Sequence, residues 1–243
     1  NTRELFVQAF NEMRDSVDRG FEPKDIDALY VGNAASELWE TQTTIGGMCA
    51  DWIGSVPKPA TKIEDACASS QVAIREGIMG IASGMYDIVL AGGTEKMTDL
   101  PVDETTLTIA SAADTLYECS AGFTFPGMYA AMAVAHMHEY GTTPDDLMKV
   151  AIKNHNNGAL NPQAHFPLSI RDVMERRIAK AKETGQPIPS WADEVEFLRD
   201  PRFNPPVAWP LMLFDCCPVT DGAACVLLVA EEIARSFTDT PIY

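Results

Sequence analysis

Basic residues are scarce in this chain. Its 243 residues hold 18 Lys and Arg against 35 Asp and Glu, a formal charge of −17. Neutralising nucleic-acid phosphate takes a basic surface, so nucleic acid is not an expected partner. Long apolar runs are also missing. The longest, 128–135 and 223–230, fall far short of the roughly 20 residues that cross a bilayer, so no membrane partner is expected either. The opening residues form a polar helical pattern instead of a basic stretch followed by an apolar one, and the expected location is cytoplasmic. No Cys-x-x-Cys pair occurs among Cys49, Cys67, Cys119, Cys216, Cys217 and Cys225, and there are only four histidines. A metal-ligand set is therefore not visible. Six cysteines in a chain of this length do not make a disulfide scaffold, and they read as free thiols of a reducing compartment.

The remaining composition, 46% hydrophobic and 22% charged, is that of a globular chain able to bury one large core or two small ones. Residues 3–19 read as a helix, with Leu5, Phe6, Ala9, Phe10 and Met13 at helical spacing and Gly20 as its stop. A strand over 28–31 is closed by Gly32 and Asn33. A helix over 43–53 is broken by Pro57 and Pro59. A strand over 61–65 leads into the small residues 66–70, then a helix to about Ser83, then a strand over 87–91 closed by Gly92 and Gly93. Such alternation predicts an α/β fold, a sheet built from parallel strands with helices on both faces. The rhythm fails after Met97. No strand is expected until about Pro210, only helices over 127–140, 144–157 and 171–184 joined by Pro-rich loops. The strand pattern returns over 223–229. The expected organisation is thus a sheet domain over 1–98, a mainly helical insertion over 99–209, and a return to the sheet over 210–243.

The insertion differs in charge. Between 149 and 202 nine basic residues meet seven acidic ones, for a net +2 against −19 elsewhere, and 97–148 contains no Lys or Arg. An acidic protein that handles an anionic ligand must gather positive charge locally. A solvated helix face laced with Glu/Lys pairs accounts for the same run.

Cys67 carries the chemical argument. It sits where a strand turns into a helix, among Ala66, Ala68, Ser69 and Ser70. A thiol in the first turn of a helix meets the positive end of the dipole and unpaired amides, both of which favour the thiolate. The same amides are placed to stabilise an oxyanion as that sulfur attacks a carbonyl. The plainer reading is a small buried hydrophobe. Glu95 and Asp221, in turns flanking strands, read as acceptors of backbone hydrogen bonds. Cys216 and Cys217 read as a buried pair. His136, His138 and His165 point to no role beyond packing or surface.

The order of four segments adds a family. Asp65-Ala-Cys-Ala-Ser-Ser70, Gly92-Gly-Thr-Glu-Lys-Met97, Lys153-Asn-His-Asn-Asn-Gly-Ala-Leu-Asn-Pro162 and Asp221-Gly-Ala-Ala224 together resemble the thiolase superfamily, in the branch of sterol-carrier-protein and archaeal acetoacetyl-CoA thiolases. The resemblance implies a thiolase-like mixed sheet interrupted by a loop domain, and an acyl-CoA acyltransferase that makes or cleaves a 3-ketoacyl-CoA through an acyl-cysteine on Cys67. It implies coenzyme A as a substrate, with no permanently bound cofactor and no metal. It leaves His155 either as a helix-end cap, favoured as imidazolium by the dipole, or as a substrate contact. The family repeats its fold, and the second half adds the acid/base residues. The chain resembles the first half without its usual first strand, so this piece alone is expected to be inactive. Gly77, Gly80 and Gly84 around the Cys67 helix suggest close packing by the other half and a homo-oligomer. A small OB-fold/zinc-ribbon partner is a further expectation from the branch. The long, Trp- and Pro-containing stretch 169–210 suggests a bulky aromatic or dicarboxylic acyl group. Two other readings stay open: a non-catalytic acyl-CoA or lipid-binding subunit, and a thiolase-fold aldolase in which Cys67 is a bystander.

Overall fold

A computed structural model describes residues 1–243 as two compact units, a sheet unit of 1–108 with 220–243 and a helical unit of 109–219. The sheet unit opens on α1 (Thr2–Asp15). Asn1 caps it in a reciprocal box with Glu4, and Phe6 and Phe10 bury one stripe. The helix ends earlier than the apolar spacing predicts. Ser16 folds its hydroxyl back onto the Met13 carbonyl at 2.6 Å, and Gly20, at φ +66, serves a later turn. Four strands form the sheet: β1 (Ala28–Gly32), β2 (Ala60–Ile63), β3 (Ile88–Glu95) and β6 (Gly222–Val229), in the order β2-β1-β3-β6. Between them lie α2 (Ser36–Trp39), α3 (Ile45–Ile53), α4 (Ser69–Ala82) and α5 (Val102–Ala110), and α10 (Glu231–Ala234) follows β6.

The first three strands are parallel, but β6 runs antiparallel to β3, with Glu95 opposite Gly222 and Ile88 opposite Val229. The sheet is therefore mixed, not purely parallel as the strand–helix alternation alone suggests. The reason is geometric. The chain leaves β3 and re-enters β6 at the same end of the sheet, so the returning strand must run back down.

Strand alternation sorts the two faces. Leu29, Val31 and Leu90 face α1 and α3 and close a core with Phe6, Phe10, Ile26, Ile45, Cys49 and Ile53. Val89 and Ala91 face α4. A Cβ on Gly77 would stand 2.7 Å from Leu228 and 3.1 Å from Val89, and one on Gly80 would stand 2.9 Å from the Tyr86 ring. The close packing expected at these glycines is thus made by the chain's own sheet and the Tyr86 ring. Gly84 adopts φ +72 with open space around it, so it is there for the turn.

The helical unit contains α6 (Phe125–Tyr140), α7 (Pro144–Gly158), α8 (Ile170–Thr184) and α9 (Glu194–Arg199), with a hairpin of β4 (Pro206–Ala208) and β5 (Leu211–Met212). Its core joins Met148, Ile170, Met174, Phe197 and Leu198. Trp191 packs edge-on against Phe197 and Phe203, each ring centroid 5.0 Å away. The hairpin corrects the expectation of no strand before Pro210. Proline hides it in the sequence, yet a two-stranded ribbon tolerates Pro206 because an edge needs no donor there.

Candidate active site

Cys67 lies in a short 3₁₀ turn, Ala66–Ala68, between β2 and α4. It precedes the helix instead of occupying its first turn. Its side chain is exposed. Ala66, just before it, is held at φ +45, a left-handed conformation uncommon for a residue with a Cβ. The turn is clasped from inside. The Asp65 amide donates to Ser69 Oγ at 2.9 Å, and that hydroxyl donates to the Ala66 carbonyl at 2.7 Å. The Ala66 amide donates to Glu64 Oε1 at 2.7 Å. The Ala68 and Ser69 amides are spent on the Asp65 and Ala66 carbonyls and are withdrawn from the expected oxyanion donors.

Two strand ends press on this junction. A Cβ at Gly32 would lie 2.5 Å from the Ser70 amide nitrogen, and one at Gly93 would lie 1.8 Å from Ser70 Oγ. Only glycine lets β1 and β3 abut the start of α4. The carboxyl ends of parallel strands are where open α/β sheets receive ligands, and Cys67 stands at that end.

Polar side chains just beyond the glycines tie the strand ends together. Glu95 accepts from the Ala34 amide at 2.7 Å, the Ala35 amide at 3.2 Å, Trp39 Nε1 at 2.6 Å and Asn33 Nδ2 at 3.2 Å. Asn33 is buried, donates to the Thr94 carbonyl at 2.8 Å and accepts from the Ser36 amide at 3.1 Å. Asp221 accepts from the Met97 amide at 2.8 Å and the Thr98 amide at 3.1 Å, and pairs with Lys96 at 2.8 Å. Burial by itself would raise the Asp221 pKa; its hydrogen bonds from Lys96, Thr98 and Met97 outweigh that and lower it. Both carboxylates thus hold backbone, as their positions in the sequence suggest.

The other thiols are less suited to nucleophilic work. Burial pushes Cys49 and Cys225 up to about 12 and raises Cys216, which also feels Asp215 and Cys217. Cys119 donates to the Ala110 carbonyl at 2.9 Å. Cys216 is half-buried and Cys217 exposed, so they are not the buried pair expected; both are free thiols. Only Cys67 and Cys217 are exposed, and only Cys67 stands on a built strand–turn–helix junction.

His155 belongs to the helical unit, in the last turn of α7, apart in the chain from the sheet unit that carries Cys67. Its ring packs edge-on against Phe166 at 5.2 Å and Phe214 at 5.5 Å. Burial lowers its pKa, against a hydrogen bond with the Leu168 backbone that raises it. The imidazolium favoured by a helix end is thus overruled by the aromatic cage, which prefers the neutral ring. At pH above its ordinary 6.5, His155 is neutral folded or unfolded, and nothing is lost. Below 6.5 the unfolded chain takes up the proton first, so the helical unit loses stability as pH falls. His155→Phe should flatten that loss in urea titrations at several pH values; superimposable profiles would contradict the assignment.

Of the nine basic residues over 149–202, Lys149, Arg171, Arg199 and Arg202 pair with Asp146, Glu194, Asp145 and Asp200. Arg177 lies over the Phe203 ring at 5.7 Å. Arg176 acts on Asp172 through its charge, and Lys153, Lys180 and Lys182 are exposed.

Comparison with known proteins gives consistent matches. The family model described as thiolase, N-terminal domain, matches residues 1–232. An acetyl-CoA acetyltransferase of Methanothermobacter thermautotrophicus is 42% identical over 228 residues, 93% of this chain and 52% of that protein. One of Methanocaldococcus jannaschii is 37% identical over 237 residues, 98% of this chain and 53% of that protein. A solved structure named Ltp2-ChsH2(DUF35) aldolase superposes with a TM-score of 0.60 at 21% identity, covering 99% of this chain and 53% of that one, a likeness of fold. The chain spans about half the length of the relatives it matches.

Proposed function

Because the chain belongs to the thiolase family, as its N-terminal domain, we propose that it supplies the nucleophile of an acyl-CoA acyltransferase. The observation that carries this reading is the exposed Cys67 on a clasped, left-handed turn at the carboxyl end of the parallel strands. In the first half-reaction the Cys67 sulfur bonds to the thioester carbonyl carbon while the coenzyme A sulfur departs and takes a proton, leaving an acyl-cysteine. In the second, a carbanion formed by loss of a proton next to another thioester attacks that acyl carbon. A carbon–carbon bond forms and Cys67 is released; the reverse sequence cleaves a 3-ketoacyl-CoA. Coenzyme A enters as substrate, and this chemistry asks for no metal or resident cofactor. The chain matches the N-terminal domain and spans about half the length of its relatives, so we assign the proton transfers to residues outside this chain.

The exposed Lys153, Lys180 and Lys182 are suited to the phosphates of coenzyme A, a polyanion that the charge elsewhere on the chain repels. His155 enters this reading as part of the frame of the helical unit. We propose an acetyl or similarly short acyl group. Trp191, one reason to expect a bulky aromatic or dicarboxylic one, is used in the core of the helical unit, and both relatives above carry acetyl in their names. The outer side of α4 leaves Ile78, Met79 and the nearby Met85 uncovered, in keeping with a homo-oligomer. A small partner protein is part of the proposal; the aldolase of like fold is named together with a second component, ChsH2(DUF35). No helix is long and apolar enough to cross a membrane, and a cytoplasmic setting suits the free thiols.

Brief iodoacetamide treatment of the full-length protein tests the reading. Mass spectrometry should find Cys67 labelled first, and acetyl-CoA should protect it. Labelling that falls on Cys217 alone, or is indifferent to acetyl-CoA, would refute the assignment.

A further inference from the structure

We propose that Ser69 is the positioning residue for Cys67, an inference that rests on the acyl-transfer reading above and goes beyond it. The Cys67 side chain is exposed, so its direction is set by the turn that carries it. That turn has one unusual element, the left-handed Ala66, and one hydroxyl spans it: Ser69 Oγ accepts from the Asp65 amide at 2.9 Å and donates to the Ala66 carbonyl at 2.7 Å. The two peptide groups it grips, Glu64–Asp65 and Ala66–Cys67, bracket Asp65 and Ala66. Rotation of Ala66 toward an ordinary conformation would break one of the two bonds. Ser69 is 4% exposed, so its own hydroxyl meets little water that could compete for either bond. Ser69 cannot drift, because the peptide that joins it to Ser70 rests on Gly32, where not even a Cβ would fit. The hydroxyl thereby transmits the fixed position of the β1 end to the direction of the Cys67 sulfur and amide.

Acyl transfer depends on that direction, since a misplacement of about 1 Å costs on the order of 100-fold in rate. Alkylation of an exposed thiol by a small reagent does not. In the full-length protein Ser69→Ala should lower kcat about 10- to 100-fold while KM for acetyl-CoA and the rate of Cys67 alkylation by iodoacetamide each stay within about twofold. Ser69→Thr retains the hydroxyl and should recover most of kcat if its methyl group is accommodated.

A second variant separates aim from stability. Ala66→Gly removes the cost of the left-handed conformation, so its melting temperature should not fall; it also loosens the turn, and kcat should drop with KM unchanged. The inference is overturned if both variants keep kcat within about twofold, or if the Ser69→Ala loss comes with a matching fall in melting temperature and alkylation rate. Wild-type protein that forms no acetyl-Cys67 with acetyl-CoA would remove the acyl-transfer reading and this one together. Normal acetylation in wild type with unchanged kcat in both variants would remove this one alone.

Discussion

Cys67→Ala in the full-length protein is expected to lower kcat for acyl transfer by at least about 10³-fold, the scale on which enzymes lose turnover when their nucleophile is deleted. Its melting temperature should hardly move. The side chain is exposed and fills no part of either core, and exposed substitutions away from special features usually stay within about 0.5 kcal/mol. This pairing of a large kinetic effect with a negligible structural one is what distinguishes a nucleophile from a packing thiol. The comparison is Cys49→Ala, which empties a fully buried site in the core of the sheet unit and should act on stability instead. Turnover of Cys67→Ala within tenfold of wild type would favour carbon–carbon cleavage that needs no acyl-cysteine, as in an aldolase of this fold. Denaturation and steady-state kinetics on the same two variants decide the matter.

Gly32→Ala is expected to destabilise the sheet unit by about 3 kcal/mol, the upper end of what overpacking costs. The added Cβ would meet the Ser70 amide nitrogen at 2.5 Å and the Ser69 carbonyl carbon and Ser70 Cα at 2.6 Å. All three are backbone atoms, so no side-chain rotation relieves the clash, and α4 must back away from β1. Since that movement displaces the Cys67 turn as well, acetylation of Cys67 should slow in whatever protein remains folded. Gly47→Ala is the control. Its Cβ would meet only a Thr44 methyl at 3.7 Å, and in the first turn of α3 it should stabilise by up to about 1 kcal/mol. Urea denaturation that ranks the two substitutions alike would show that clearance at Gly32 is not what positions α4.

The parts of this structure legible in the sequence are those that local periodicity and punctuation dictate. Strands 28–32 and 222–229 are dense apolar runs, and α7 and α8 begin at Thr143 and Ser169, whose capping boxes with Asp146 and Asp172 are written three positions apart in the sequence. The direction of β6 was not legible, because periodicity is the same read either way, and only the shared exit and entry point on the sheet fixes it. Helix α9 is too short for a periodic signal; it forms because Asp193 caps it through the Glu196 amide at 2.8 Å and Phe197 and Leu198 anchor it in the core. At the site, the order of motifs singled out Cys67, but a run of small residues conceals which of them act. Ser69 looks like its neighbours in the sequence and differs from them only in the two peptide groups it bridges. The surroundings of His155 are not legible because the aromatic residues that cage it, Phe166 and Phe214, lie 11 and 59 positions further along.

The pairing of Glu95 with Gly222 also constrains how the molecule comes into being. On the ribosome the third strand emerges more than a hundred residues before its antiparallel neighbour, and in that interval the sheet has an incomplete edge. Closing a flexible loop of such length carries an entropic cost that grows by only about 0.6 kcal/mol per doubling. An intervening segment with a core of its own, built on Phe197 and Ile170, can collapse first and shorten the span that the late strand must search. Order of synthesis then becomes order of assembly: the elbow bearing the reactive sulfur is laid down first, and the strand that completes its platform follows the helical segment.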